Sequence, residues 1–528
     1  MNPKQAKRSD IGEDSYDEVA PDASSMIESM RAHGYTLSTA VSDIIDNSIA
    51  ASCQNVWLNF YWNSRNSWIS VTDDGVGMSE QELVTAMRLG SMNPMEKRAK
   101  MDLGRFGLGL KTASFSQARR LTVTSKTKNG IVSLRRWDLD HLAKPDVKGW
   151  QLLKNAHPNS DAGLEGFESL SPKSGTHVLL ESLDRVVLSE QNKFEQIAED
   201  HWVSEVRRVR EHLAMVFHRF LADTTRRGIK IWLNGTKVDA WDPFCVSEEA
   251  TQEEPEDRNS DLGGTVIVKG YVLPHRDRFD PDDIVNSKKL HQLASGTNGW
   301  NAHQGFYLYR NRRLIIPGSW LGLGPGRNGW IKEEHFKLAR IQIDIPNSMD
   351  HEWQIDVKKS TANAPPVLRG WLTGLAKRVR EKARQVYAHR GGRLQKTRRR
   401  GVEQANAWIS KTDSSGSFGY QINREYPLFR ALRERLPSGS KEELETLFRL
   451  IEETVPVQQI WIDTAEKQDG LKAPFEGENS DSLKKLIKLC HSALVANGQN
   501  SEDAWEELAV FPGFQARDSQ ALIGQLRE

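Results

Sequence analysis

Apolar and polar positions along the chain follow two periods, and each period predicts a different element. Leu37, Val41, Ile44 and Ile45 recur at the three- to four-residue spacing of a helix face. In 56–62 and 67–72, apolar residues instead alternate with polar ones, which is the period of a half-buried strand. The sequence therefore predicts a mixed fold of the α/β (α+β) class.

The same patterns extend through the first two thirds of the chain. They predict a short helix over 25–34, a long charged helix over 203–221 and another helix over 284–293. Further strands are predicted at 121–125, 130–137, 176–183, 229–233, 265–273, 305–309, 313–316 and 340–345. The strands up to residue 183 are expected to form one sheet with helices on one face, and the acidic stretch 251–262 is expected to be a loop.

Three short motifs within 38–126 carry residues suited to a nucleoside triphosphate. Asp43 and Asn47 lie one helical turn apart, so a carboxylate and an amide face the same space. Val71-Thr-Asp-Asp-Gly-Val-Gly-Met78 is an apolar strand that ends in an acid and two glycines, which permits close approach of a ligand. In Asp102-Leu-Gly-Arg-Phe-Gly-Leu-Gly-Leu-Lys-Thr112, glycines lead into a helix, where backbone N–H groups favour anions.

Each motif alone is also typical of a surface turn or a solvated helix face, but the order of the motifs is informative. Followed by Ser174-Gly-Thr-His-Val178, they resemble the N box, the two glycine boxes and the last adenine-side motif of the GHKL ATPases. Within that family the likeness is to MORC-type proteins and their prokaryotic relatives, through Arg105 to Ser114 and Tyr309-Arg-Asn-Arg-Arg-Leu314, and it covers roughly residues 30 to 370. The resemblance implies an N-terminal Bergerat-fold sandwich that binds ATP and Mg²⁺ under a lid from Gly90 to Gly109.

By this resemblance, Asp73 accepts the exocyclic amine of adenine, Thr176 completes the polar edge and Met78 packs on the ring. Asn47 coordinates Mg²⁺, which takes oxygen ligands. The other predicted nucleotide contacts belong to the glycine boxes and are Gly75, Gly77, Gly104, Phe106, Gly107, Leu108 and Gly109. Three residues that are either further phosphate contacts or solvent-facing lid residues are Lys111, Ser91 and Asn93.

One position departs from the family pattern. The family's general base is usually a Glu four residues before the Asn, and here that position is Asp43. Because Asp is one methylene shorter, the attacking water must sit closer to the helix or be reached through a second water. Slow hydrolysis is therefore expected. Asp46 is less suited as the base, because it points about 100° away from Asn47 on the helix.

Length and composition set further bounds. A chain of 528 residues is too long for one core, and three domains are expected. Lys and Arg (72) nearly equal Asp and Glu (71), so any bias toward nucleic acid must be local. Three cysteines without pairing or metal-ligand spacing fit a reducing compartment. No apolar run approaches a membrane span and no signal peptide is evident, so a cytoplasmic protein without membrane partners is expected.

Composition also divides the chain. The sequence predicts a mobile N-terminal arm over 1–24, the ATPase domain over 25–190, an α/β domain over 191–365, a basic helix with a linker over 366–417, and a helical domain over 418–528. The α/β domain resembles the transducer domain of the family, which supplies a lysine to the γ-phosphate. Lys359 is the preferred catalytic lysine and Lys358 the alternative, while a surface lysine at a strand end remains a third interpretation.

The basic helix suggests a further ligand. Between residues 377 and 400, basic side chains are opposed only by Glu381, which suits contact with duplex DNA phosphates without sequence preference, although such a run is also typical of a solvated face. The residues predicted to bind DNA are Lys377, Arg378, Arg380, Arg390, Arg393, Lys396, Arg398, Arg399 and Arg400.

Two function classes follow from the resemblance. The first is an ATP-gated homodimeric clamp on DNA, in DNA repair, restriction or phage defence, with partner proteins encoded in the same operon. The second is a client-binding chaperone ATPase of the heat-shock type. The basic run favours the first class, because a chaperone is expected to expose a broad apolar surface instead.

Overall fold

The computed structural model describes residues 21–32, 34–90, 109–187, 195–280, 283–327, 329–355, 362–388, 407–412, 418–457, 459–460, 475, 480–496, 498–514 and 517–527. The chain divides into two compact units, Met1–Arg384 and Gln385–Glu528. The predicted mixed α/β class is confirmed by this architecture. None of the helices in the described ranges is long and apolar enough to cross a bilayer.

The first sheet of the larger unit carries most of the predicted site. Its strands are β1 (Asn55–Tyr61), β2 (Trp68–Asp73), β3 (Arg120–Lys126), β4 (Ser133–Asp138), β5 (Gly175–Glu181), β6 (Lys230–Leu233) and β7 (Thr236–Lys237). They lie in the order β4-β3-β5-β2-β1-β6-β7, and β6 is parallel to β1. The strand β6 was predicted to belong to the α/β domain after residue 191. Instead it extends the sheet that holds the nucleotide-binding motifs.

Helices cover this sheet unequally. Those of this part are α1 (Ala23–Arg31), α2 (Leu37–Ala50), α3 (Glu80–Met87), α4 (Gly109–Phe115), α5 (Leu139–Leu142), α6 (Asp161–Leu164), α7 (Phe167–Leu170), α8 (Glu195–Val216) and α9 (His218–Leu221). The helix α2 begins at a capping box between Thr36 and Thr39 and packs against α4 and α8 over one main core. On the opposite face, His177 of β5 is hydrogen-bonded to the carbonyl of Gly163 in α6. Helices of four residues leave no periodic signal, so this second cover was not predicted.

A second sheet follows in the same unit. Its strands are β8 (Gln252–Glu253), β9 (Asp257–Asn259), β10 (Val266–Val272), β11 (Gly305–Arg310), β12 (Arg313–Ser319) and β13 (Ala339–Ile345), with helices α10 (Ile284–Ser295), α11 (Gly299–Ala302) and α12 (Pro366–Ala388). The order is β12-β11-β13-β10-β8, and β9 also pairs with β10. The loop predicted over 251–262 is therefore wrong in part, because the backbone of β10 pairs with two short polar strands that carry no apolar pattern.

The smaller unit is mainly helical, as predicted for the C-terminal region. It contains the hairpin β14 (Trp408–Thr412) and β15 (Phe418–Ile422), and the helices α13 (Pro427–Arg435), α14 (Ser438–Glu453), α15 (Ser480–Ala496), α16 (Ser501–Val510) and α17 (Arg517–Arg527). Leu483, Ile487, Trp505 and Phe514 belong to its buried core.

Candidate nucleotide-binding site

The carboxylate of Asp73 lies at the end of β2, buried to 4% exposure. Its Oδ2 accepts a hydrogen bond from the hydroxyl of Ser48 at 2.8 Å, and its Oδ1 accepts one from the backbone N–H of Gly75 at 2.9 Å. Burial raises the pKa of this carboxyl to about 6, although these hydrogen bonds favour the charged form. Two fixed donors thus hold a buried acceptor at the place where the family pattern expects adenine.

The hydroxyl of Ser125 ties three predicted site segments together. It accepts from the backbone N–H of Met78 and donates to the carbonyl of Gly175, both at 2.9 Å. It also shares a hydrogen bond of 2.9 Å with the hydroxyl of Thr176, which lies opposite Asp73 in the register of β2 and β5. Asp73, Met78 and Thr176 are therefore neighbours at one end of the sheet.

Glycine is required sterically in the first glycine box. Gly77 has a φ of +68°, and a Cβ built on it would lie 1.8 Å from the carbonyl oxygen of Lys126. Both the left-handed backbone and this approach exclude a side chain unless β3 moves. The adenine end of the candidate site is thus shaped by backbone packing as well as by Asp73.

The second part of the site lies on α2. Asp43 is 6% exposed, and its Oδ2 accepts a hydrogen bond of 3.2 Å from the hydroxyl of Tyr35. Asn47 is exposed and donates its amide N–H to the carbonyl of Asp43 at 3.0 Å. This bond uses the amide nitrogen, and the amide oxygen is the kind of ligand that Mg²⁺ takes. The predicted placement of the carboxylate and the amide one turn apart is found in the structure.

An arginine from the second sheet reaches both acids of α2. The Nε of Arg313 lies 2.7 Å from the carboxylate of Asp46, and its Nη2 lies 3.6 Å from Oδ1 of Asp43. All three side chains are buried. Asp46 is thus engaged by Arg313.

Of the second glycine box, the structure describes the last part, from Gly109 onward. Gly109 begins α4, and a Cβ built on it would lie 3.9 Å from Oδ2 of Asp43, so the two motifs adjoin. Six of the predicted contacts lie outside the described residues, namely Ser91, Asn93, Gly104, Phe106, Gly107 and Leu108.

Lys111 is placed differently from either sequence interpretation. It is buried, and its ammonium group donates to the carbonyls of Ala86 and Arg88 at 2.9 and 3.0 Å. Burial lowers its pKa to about 8. In this conformation Lys111 fixes the end of α3 instead of facing solvent or a phosphate, because those carbonyls lack partners where the helix stops.

The predicted basic contacts divide into three groups. Lys358, Lys359 and the predicted DNA contacts from Arg390 to Arg400 lie outside the described residues. Lys377 and Arg378 are exposed on α12. Arg380 is only 6% exposed, so the prediction that it contacts DNA is wrong.

The guanidinium of Arg380 lies within an aromatic cage. The distances from its carbon to the ring centroids are 3.6 Å for Phe336, 4.7 Å for Trp320 and 4.7 Å for Trp330. Its Nη2 also lies 3.4 Å from Oε1 of Glu333. Cation–π attraction and packing of the arginine stem explain this position.

Sequence reasoning missed four residues that support the site. Ser48 and Ser125 hold the adenine end, and Tyr35 and Arg313 hold Asp43. Ser48 directly follows Asn47 and could have been noticed there. Arg313 lies in a segment that carried the family likeness, but its contact with α2 spans 267 positions and leaves no local signal.

Comparison with known proteins decides the family of this region. The family described as "Histidine kinase-, DNA gyrase B-, and HSP90-like ATPase" matches residues 35–171. This region is a GHKL ATPase domain. The matched range contains Asp43, Asn47, Asp73 and Gly109 of the candidate site.

Two known proteins are similar to part of this chain. The chain is 27% identical over 95 residues to the "ATPase morc-1" of Caenorhabditis elegans, which covers 18% of this chain and 11% of that protein. It is 27% identical over 140 residues to the "Chaperone protein HtpG" of Rickettsia canadensis (strain McKiel), which covers 23% of this chain and 22% of that protein. The chain thus spans less than a quarter of either relative.

Proposed function

We propose that this protein binds Mg·ATP at the site between α2 and the ends of β2 and β5, and hydrolyses it slowly. The buried carboxylate of Asp73 accepts the exocyclic amine of adenine, and Thr176 completes the polar edge. Met78 packs against the ring. The observation that carries the proposal is a buried acceptor, preset by Ser48 and Gly75, at the end of a sheet whose covering helix carries Asp43 and Asn47.

The arrangement on α2 supports the proposed hydrolysis. Asp43 accepts a proton from the attacking water, and Asn47 would hold Mg²⁺, which neutralises charge on the phosphates. The adjacency of Gly109 to Asp43 supports a γ-phosphate on this side of α2. Lys359, or else Lys358, supplies the further positive charge of the transducer type.

Calorimetry and a phosphate-release assay on the full chain test this proposal. Asp43→Ala is expected to keep Mg·ATP affinity within about threefold and to lower turnover by about 10²- to 10⁴-fold, the typical contribution of a general base. Asn47→Ala is expected to weaken both binding and turnover, because it removes a metal ligand. Parental turnover in Asp43→Ala would show that the base lies elsewhere.

We further propose that triphosphate binding favours a cytoplasmic homodimer that closes on duplex DNA. The resemblance to MORC-type ATPases supports this proposal. The exposed Lys377 and Arg378 begin the basic run that would contact phosphates. The biological setting proposed is DNA repair, restriction or phage defence with operon-encoded partners. A non-hydrolysable ATP analogue is expected to increase the dimer fraction in sedimentation more than ADP does, because only differential affinity shifts a population.

DNA binding has its own test. Replacing the arginines between Arg390 and Arg400 by Ser is expected to flatten the dependence of duplex affinity on salt by about one logarithmic slope unit per lost phosphate contact, while basal ATPase activity stays unchanged. The double replacement Lys377→Ser and Arg378→Ser makes the same test on the exposed residues of α12. Unchanged duplex affinity at every salt concentration would contradict the clamp.

The similarity to HtpG supports one alternative, a client-binding chaperone with the same ATPase domain. Suppressed aggregation of an unfolded client, with ATPase activity that responds to the client and not to DNA, would favour this alternative.

A further inference from the structure

Arg313 forms a buried ion-pair cluster between the two sheets. It is the first residue of β12, and only 4% of it is exposed. Its guanidinium reaches out of the second sheet to α2, where it meets Asp46 at 2.7 Å and Asp43 at 3.6 Å. The hydrolytic side of the candidate site therefore includes a charge from the second sheet.

A tight turn fixes where this charge lies. The residues between β11 and β12, Asn311 and Arg312, have φ values of +47° and +72°. Positive φ at both central residues is typical of a two-residue hairpin turn whose twist matches that of its strands. Arg312 pairs with Asp223 at 2.7 Å and donates to the carbonyl of Arg219 at 2.6 Å. The two consecutive arginines thus have different partners, Asp223 for Arg312 and the acids of α2 for Arg313.

The groups around Arg313 define its electrostatic task. The hydroxyl of Tyr35 faces Asp43 from the other side, and the ring of Phe217 lies 5.8 Å from the guanidinium carbon. His212 of α8 also faces the cluster, where burial and then the charge of Arg313 lower its pKa to about 4, so it is neutral at pH 7. Among these groups, Arg313 is the cation that compensates the two carboxylates.

We propose that Arg313 is a positioning residue for ATP hydrolysis, which reaches from the second sheet and holds Asp43 in place. The inference rests on the proposed role of Asp43 as the base. Arg313 touches neither water nor nucleotide in this role. It acts on Oδ1 of Asp43, while Tyr35 acts on Oδ2.

The short side chain of Asp43 makes such positioning effective. A shift of about 1 Å in a reacting group can lower a rate by about 10²-fold. The stronger contact of Arg313 is with Asp46, which anchors the guanidinium and leaves the looser contact to Asp43. Loss of the guanidinium would therefore release Oδ1 of Asp43, whereas Asp73 would keep its donors Ser48 and Gly75.

The test compares two neighbouring arginines in the full chain. Arg313→Gln is expected to lower kcat about 100-fold with KM and ATP affinity within about threefold of the parent. Arg313→Lys, which keeps the charge, is expected to recover about tenfold of that loss. Arg312→Gln loses an ion pair from the same hairpin without touching α2, and its kcat is expected to stay within about threefold of the parent.

The double variant Asp43→Ala with Arg313→Gln separates positioning from a general loss of structure. If Arg313 acts through Asp43, the double variant is expected to turn over no more slowly than Asp43→Ala, because effects through one group are not additive. An additional loss in the double variant, or an equal loss in Arg312→Gln, would overturn the proposal.

Removing Arg313 leaves two buried carboxylates, so Arg313→Gln can fail to fold. Thermal unfolding of each variant identifies that case, and Arg313→Lys against Arg312→Lys then decides. Parental kcat in Arg313→Lys would overturn the inference, and a loss of tenfold or more confined to Arg313→Lys would support it. Parental turnover in Asp43→Ala would instead refute the proposed base, whatever the arginine variants do.

Discussion

The two ends of the candidate site are built in different ways. At the adenine end, Asp73 is held by Ser48 and Gly75, and the surrounding contacts come from the first sheet and its helices. At the hydrolytic end, Asp43 is held by Tyr35 and by Arg313 from the second sheet. The proposed adenine contacts thus belong to one sheet, whereas placement of the proposed catalytic acid is shared between two. The two ends can therefore be perturbed separately.

The largest expected effect tests whether the adenine end depends on its backbone. Gly77→Ala places a methyl group against the carbonyl of Lys126 at a φ of +68°, so it is expected to lower the free energy of unfolding by about 3–5 kcal/mol and to abolish ATP binding. Gly109→Ala at the hydrolytic end meets only an ordinary contact at 3.9 Å from Asp43 and is the control for stability. Equal melting temperatures for the two variants would contradict this difference.

Asp73→Asn separates affinity from stability. A donor replaces part of the acceptor that faces the adenine amine, so ATP affinity is expected to fall about ten- to hundredfold, equivalent to about 1–3 kcal/mol. The unliganded protein is expected to become more stable at pH 7 by about 1–3 kcal/mol, because a carboxyl with a pKa raised to about 6 is buried as a charge at that pH. Calorimetry and denaturant unfolding measure the two effects, and a loss of stability would contradict the second.

The raised pKa of Asp73 also predicts how ATP affinity depends on pH. The folded carboxyl binds a proton below about pH 6, whereas the unfolded one does so only near its ordinary value of 3.8. Protonation therefore stabilises the unliganded fold as the pH falls from about 6 toward 4, and this stabilisation is lost as the pH rises through 6. In the proposed role the adenine amine needs the charged acceptor, so ATP affinity is expected to fall about fivefold between pH 6 and pH 5.

Protonation of the ATP phosphates contributes to the same curve, and Asp73→Asn measures that contribution. The difference between the two titrations should contain one proton with a midpoint near pH 6. Parallel curves for parent and variant would exclude Asp73 as the titrating group.

The smallest expected effect concerns a single hydroxyl. Ser48→Ala removes one donor to Asp73 and is expected to weaken ATP binding about fivefold, or about 1 kcal/mol, and to raise the midpoint of the pH dependence. Ser42→Ala is a matched control on α2, because its hydroxyl donates to the carbonyl of Ser38 and not to the site. An equal effect of both replacements would indicate a change in helix stability instead.

Local patterns predicted the elements that hold the site. Apolar spacing located α2, and strands β2 and β5 begin and end within two residues of the predicted bounds. The first glycine box directly follows the predicted strand β2, so Asp73 and Gly77 were expected at one end of the sheet. These features depend on neighbours in sequence, which is why the sequence carries them.

Contacts between distant segments were beyond such patterns. The pairing of β6 with β1 and the reach of Arg313 to Asp46 depend on how separate segments pack, and neither changes the local periodicity. The burial of Arg380 is a different case. It lies four residues after buried Ala376 and three before buried Ala383, so helical spacing already placed it on the apolar face of α12.

The aromatic cage around Arg380 gives the protein an internal optical reporter. Trp320 and Trp330 each lie 4.7 Å from the guanidinium carbon. Indole fluorescence responds to an adjacent charge and to the entry of water, so the emission of these rings would change if α12 left the second sheet. The chain has 16 tryptophans, so the difference in emission between the parent and a variant with Trp320→Phe and Trp330→Phe would follow detachment of the helix that carries the first basic residues.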